Sequence, residues 1–216
     1  MTITHHLDDE MLLNYSAGTL SEGWSIGVAT HLSMCSACRN RLAGYDSVGG
    51  QLLESEAADP TTDDGWTAIK NRIQAGEIAN VVPIRRGSTD PLLPYPLSSY
   101  IEKAGGLRWR GLGRGPSQMI IPTSDRTTTV RMLKVPAGQP VPEHSHGGTE
   151  FTLVLDGSFS DEISTFRRGD VELADGSIMH TPTAHPGKDC ICLAVTDAPL
   201  RFKSRILRIL QPIFGI

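Results

Sequence analysis

A chain of 216 residues, 39% apolar and 20% charged, has room for one large or two small domains around a buried core. No apolar run reaches the ~20 residues of a membrane helix, and no basic-then-apolar leader opens the chain, so a cytoplasmic protein without a membrane anchor is expected. The net charge of −4 hides an asymmetry: residues 1–80 carry 11 acids against 4 bases, and residues 81–216 carry 13 acids against 16 bases. The acidic part lacks the Lys and Arg that direct nucleic-acid binding requires. Its charge suits a basic protein surface, or simply keeps exposed helix faces in solution.

In chain order, residues 7–20 read as a helix. Asp8 or Asp9 caps its start, Leu12, Leu13, Tyr15 and Leu20 give it an apolar side, and Gly18 marks its end. Residues 22–34 make a second helix, with Trp24, Val28, His31 and Leu32 at helical spacing. Residues 36–55 make a third, weakly interrupted by Gly49-Gly50. Residues 57–65 are turn-rich, and residues 66–79 give a short helix with Trp66, Ile69 and Ile73 on one side. Prolines 83, 91, 94 and 96 then mark a linker over 81–94. Beyond it, strand-like stretches at Thr127–Val135, Glu150–Leu155, Val171–Leu173 and Cys190–Val195 alternate with glycine-marked turns, the pattern of a β-sandwich or barrel. The fold expected is α+β in two domains: all-α over 1–80, all-β over 95–216. The basic, apolar tail 201–216, broken by Pro212, is expected to close the barrel or form an interface rather than lie on a membrane.

Two groups of metal-ligand residues stand out. His31 and Cys35 are four apart and share a helix face, and Cys38 follows three residues on. Zinc requires four N or S ligands in a tetrahedron, and His6, just before the first helix, is placed to supply the fourth, with neighbouring His5 as the alternative. A closed Cys2His2 set leaves no position for substrate, so it is structural by type and pins helix to helix. The competing readings are a redox C-x2-C and two small core thiols. H-x3-C-x2-C with an upstream histidine resembles the zinc-binding anti-sigma domain. That resemblance implies a small helical fold that wraps an extracytoplasmic-function sigma factor, with His6, His31, Cys35 and Cys38 as its zinc ligands.

The second group lies in the strand-rich part. His144 and His146, two apart on a strand, face the same way, with Glu150 following after Gly147-Gly148-Thr149 and His180 arriving from a later strand. Three imidazoles and a carboxylate suit zinc or another divalent transition metal. Gly138, His144, His146, Glu150, Gly157, Gly169 and His180 match the two motifs of the cupin family. Asp175, Ser177 and Ala184 depart from those motifs outside the ligand set. His185 reads as a loop residue, and Cys190 and Cys192 as small core residues. An anti-sigma-like zinc domain followed by a metal-binding cupin is similar to the ChrR family of cytoplasmic anti-sigma factors. That resemblance implies sequestration of a sigma factor by residues 1–80, and its release when residues 95–216 meet singlet oxygen or a related oxidant. The alternative is a metal-dependent cupin oxygenase whose helices serve only for docking.

Overall fold

The structure, a computed structural model, describes residues 2–57, 63–76, 90–113 and 115–203. The first helix, α1 (Asp9–Ser16), is shorter than 7–20. The Asp8 carboxylate accepts from the Met11 N–H at 2.7 Å and so fixes its start, and Gly18 at φ +69° lies just past its end. The next two helices, α2 (Glu22–Met34) and α3 (Ser36–Ser55), have the expected bounds, and Gly49-Gly50 does not interrupt α3. Cys35 separates them in an extended conformation, and its sulfur accepts the Cys38 N–H that opens α3. Then α4 (Asp63–Gln74) begins and ends earlier than 66–79. A further helix, α5 (Leu97–Lys103), was not expected; it starts directly after the proline-rich stretch and buries Leu97 and Ile101. Residues 81–89 of the expected linker and residues 204–216 of the basic tail lie outside the described residues. No described helix is long and apolar enough to cross a membrane.

Eleven described strands follow: β1 (Arg110–Gly111), β2 (Ser117–Ile121), β3 (Thr129–Val135), β4 (His144–His146), β5 (Glu150–Asp156), β6 (Ser158–Ser160), β7 (Thr165–Arg167), β8 (Val171–Ala174), β9 (Thr183–Ala184), β10 (Cys190–Thr196) and β11 (Leu200–Phe202). They form a six-stranded sheet in the order β1-β2-β3-β10-β5-β8, a pair β11-β4 and a three-stranded sheet β7-β6-β9, all antiparallel. This is the expected cupin-like β architecture, built as three sheets rather than one closed ring.

Side-chain alternation gives the large sheet two working faces. Val130, Met132, Phe151, Leu153, Val171, Leu193 and Val195 point one way, into a single apolar core with Leu12, Ile26, Val28 and Leu32 of the helices. Arg131, Glu150, Thr152, Glu172, Cys190 and Cys192 point the other way, into the β interior. The apolar core therefore does not break between the helical and the β-rich parts. Close approach of α2 depends on two glycines. A Cβ at Gly27 would come 2.9 Å from the Phe151 ring, and one at Gly23 would fall on the Thr128 side chain.

Candidate metal centres

The N-terminal centre is assembled from three chain segments. His31 on α2, Cys35 at the α2–α3 break, Cys38 on α3 and His6 before α1 place one ligand atom each within 4.8 Å of one another. His31 Nε2 lies 3.2 Å from Cys38 Sγ, and His6 Nδ1 lies 3.3 Å from Cys35 Sγ and 3.5 Å from Cys38 Sγ. Nitrogen and sulfur ligands on one tetrahedral zinc stand about 3.5 Å apart, so the set fits that ion. His5 points elsewhere: its Nε2 meets Ser164 Oγ at 2.9 Å and its ring packs on Phe166. Burial holds the His31 imidazole down, at a pKa of about 4, and so in the neutral form a metal needs. Burial also pushes the Cys38 thiol up, a cost that a bound cation offsets by stabilising the thiolate. All four cysteines of the chain are free.

The second centre lies on the far face of the large sheet. His144 and His180 exchange backbone hydrogen bonds of 3.1 and 3.0 Å, which fixes the later segment against β4. His144, His146 and His180 come together as a buried group, with Nε2 of His146 and of His180 3.1 Å apart. That is close to the roughly 3.3 Å separating two imidazole nitrogens on one zinc. Glu150 stands beside the triad rather than inside it, its Oε2 3.5 Å from His146 Nδ1. His146 Nδ1 makes no hydrogen bond among the described residues, whereas the other two Nδ1 atoms are oriented, His144 donating to Pro142 O at 2.8 Å and His180 to Asp161 Oδ2 at 2.9 Å. Metal-binding histidines typically carry such outer partners, which leave Nε2 free for the ion.

Sequence reading missed Asp161 and Glu172, the carboxylates behind His180. Glu172 Oε1 lies 3.4 Å from His180 Nδ1, and Asp161, Glu172 and His180 form a third potential metal-holding group. Burial pushes the Glu172 carboxyl up to about 7, helped by Asp161 alongside it. Burial works against charge on His180, yet the two carboxylates outweigh it and hold that imidazole up at about 9. An acid in the middle of the apolar strand Val171–Ala174 was the available signal for Glu172. Asp161, in a loop 19 residues before His180, gave none. Beside the triad lies a mainly apolar cavity of about 90 Å³, walled by Leu133, Val135, Phe159, Cys190 and Cys192. The two cysteines are buried with their sulfurs 3.6 Å apart, and His185 bonds to Ser160 outside the triad.

Residues 100–199 match the family model of the ChrR cupin-like domain. The whole chain is 46% identical over 217 residues to the anti-sigma-E factor ChrR of Cereibacter sphaeroides, covering 100% of both. The chain belongs to the ChrR family of anti-sigma factors. The ChrR likeness extends to three dimensions. The crystal structure of Rhodobacter sphaeroides SigE in complex with the anti-sigma ChrR matches with a TM-score of 0.78 at 43% identity, over 91% of this chain and 100% of that one. An RmlC-like cupin from Ralstonia eutropha aligns with 46% of this chain and 68% of its own, at 23% identity and a TM-score of 0.42.

Proposed function

We propose that this chain is a cytoplasmic anti-sigma factor that sequesters an extracytoplasmic-function sigma factor and releases it when the cupin-like part meets singlet oxygen or a related oxidant. Residues 1–80 are the inhibitory part, 81–94 the linker and 95–216 the responsive part. His6, His31, Cys35 and Cys38 hold zinc. His144, His146 and His180, with Glu150 beside them, hold zinc or another divalent transition metal. The full-length likeness to an anti-sigma-E factor carries the reading.

The helical surface supports it. Val48, Leu52 and Leu53 near the end of α3, and Trp66, Ile69 and Ile73 on α4, are all exposed. Apolar side chains repeated on two helices mark a face that a protein partner covers. Release requires the signalled state to bind the sigma factor less well, and a 100-fold loss corresponds to about 2.7 kcal/mol of coupling.

The test is capture from cells of a tagged chain, with identification of what comes with it, followed by transcription in vitro with that partner. A sigma factor whose activity the chain suppresses is expected. Leu53→Asp and Ile73→Asp should weaken capture about 100-fold, the effect of losing central apolar contacts. His144→Ala or His180→Ala should leave suppression intact and remove release in light with a photosensitiser. Capture of no sigma factor, with steady turnover of a small substrate by the pure chain, would instead favour a cupin oxygenase using the cavity beside the triad.

A further inference from the structure

The N-terminal ligands belong to the helical part, but some of the atoms that steady them do not. Asp170, only 1% exposed, sits in the turn before β8. Its Oδ1 accepts the Thr4 N–H at 2.7 Å and the His5 N–H at 3.0 Å, and its Oδ2 accepts the Arg167 N–H at 2.8 Å. The Val171 N–H donates to the His5 carbonyl at 3.2 Å, so residues 4–5 are laid along the start of β8. Ile3 packs against Gly169, where a Cβ would come within 2.6 Å of its side chain. On the other side of His6, the Leu7 carbonyl accepts from Arg41 Nη1 at 2.7 Å. His6 is thus held between one anchor on the β-rich part and one on α3. His31 is oriented from the same turn, its Nδ1 donating to the Gly169 carbonyl at 3.0 Å so that Nε2 faces Cys38.

We infer that the turn Gly169-Asp170 is the outer support of the N-terminal centre, with Asp170 as the positioning residue for His6. This rests on the proposal that His6, His31, Cys35 and Cys38 hold zinc. The segment before α1, without such an anchor, would sample many conformations, and a metal recruiting His6 would have to order it. Asp170 removes that disorder in advance. The Gly169 carbonyl fixes which nitrogen of His31 carries the proton, as outer partners of ligating histidines do. The helical part therefore carries all four ligands, but His6 and His31 take part of their orientation from the β-rich part.

The test uses the full chain with His144→Ala, His146→Ala and His180→Ala as the parent, which dismantles both C-terminal groups, so that zinc held belongs to the N-terminal centre. Zinc affinity is measured by competition with a chromophoric chelator, and far-UV circular dichroism monitors the fold. Asp170→Ala is expected to weaken zinc about 10- to 100-fold, and Asp170→Asn, which keeps one acceptor oxygen, less. Thr4→Pro acts from the opposite side by removing both the N–H and the hydroxyl that Thr4 donates to Asp170, and it should weaken zinc although the turn at Asp170 is untouched. Thr4→Ala, which keeps the 2.7 Å N–H bond and loses only the longer hydroxyl bond of 3.3 Å, should stay within about twofold of the parent. Parent-like affinity in Thr4→Ala, with the far-UV circular dichroism of Thr4→Pro unchanged, ties the loss to the N–H rather than to a folding defect. If Asp170→Ala fails to fold, Thr4→Pro decides. Parent-like zinc affinity in Thr4→Pro and in any folded Asp170→Ala overturns the inference alone. A parent that holds no zinc overturns it together with the zinc reading.

Discussion

Glu22 opens α2, yet both of its carboxylate oxygens are filled from beyond the proline-rich stretch, by α5 and the loop after β2. Oε1 accepts the Tyr100 hydroxyl at 2.9 Å, and Oε2 accepts Ser124 N–H and Oγ–H, each at 2.6 Å. The Ser124 hydroxyl above all, against an opposing push from burial, holds the Glu22 carboxyl below its ordinary value of 4.5. A folded-state pKa below the unfolded one gives stability that is present above the unfolded value and is lost as pH falls through the folded one. Glu22→Gln should therefore lower the unfolding temperature by about 2–4 °C near pH 7, the shift that roughly 1 kcal/mol produces in a chain of this size. The gap to wild type should close as pH falls below about 4.5. A gap that is constant from pH 7 to pH 3 would refute the assignment. Residues such as Glu22 mark the limit of sequence reading. His31, Cys35 and Cys38 announce themselves by local spacing, whereas a carboxylate accepting from Tyr100 and Ser124 depends on contacts 78 and 102 residues away.

Among the elements, α2 and α3 were legible because Cys35 breaks the helical run between two periodic stretches. The short helix α5 was not, because the prolines before it read as a linker when they in fact mark its start. Nor was the seat of α2 on the sheet legible, since a glycine in a helix shows no sign of what lies opposite. That seat has a measurable consequence. In an open helix face, glycine to alanine stabilises by about 1 kcal/mol, and Gly44 on α3 has nothing near its missing Cβ. Gly44→Ala should raise the urea midpoint, while Gly27→Leu should lower stability by about 1–3 kcal/mol through overpacking against Phe151. Equal and opposite shifts are not required; a Gly27→Leu chain as stable as wild type would remove α2 from the sheet.

At the scale of the molecule, the large sheet is a wall with helices on one face and the histidine triad on the other. One strand, β8, with the turn that leads into it, touches both centres: Asp170 and Val171 hold the segment before His6, and Glu172 stands behind His180. The change of texture after residue 80 was plain in the sequence, but the continuity of the apolar core across it was not, because which strand faces pair with which helix is a long-range matter. A shared core predicts one cooperative transition rather than two. Helical dichroism and the fluorescence of Trp109, followed in a Trp24→Phe, Trp66→Phe chain, should report the same urea midpoint. Two separated midpoints would divide the molecule into independent folding units. The N-terminal centre also has an asymmetry with a kinetic meaning. His31, Cys35 and Cys38 are buried, and His6 alone is exposed. An ion held there is therefore reached from solvent on one side only. Its exchange would be gated by the swing of a single imidazole, with the three buried ligands remaining as a cup that recaptures the metal whenever His6 returns.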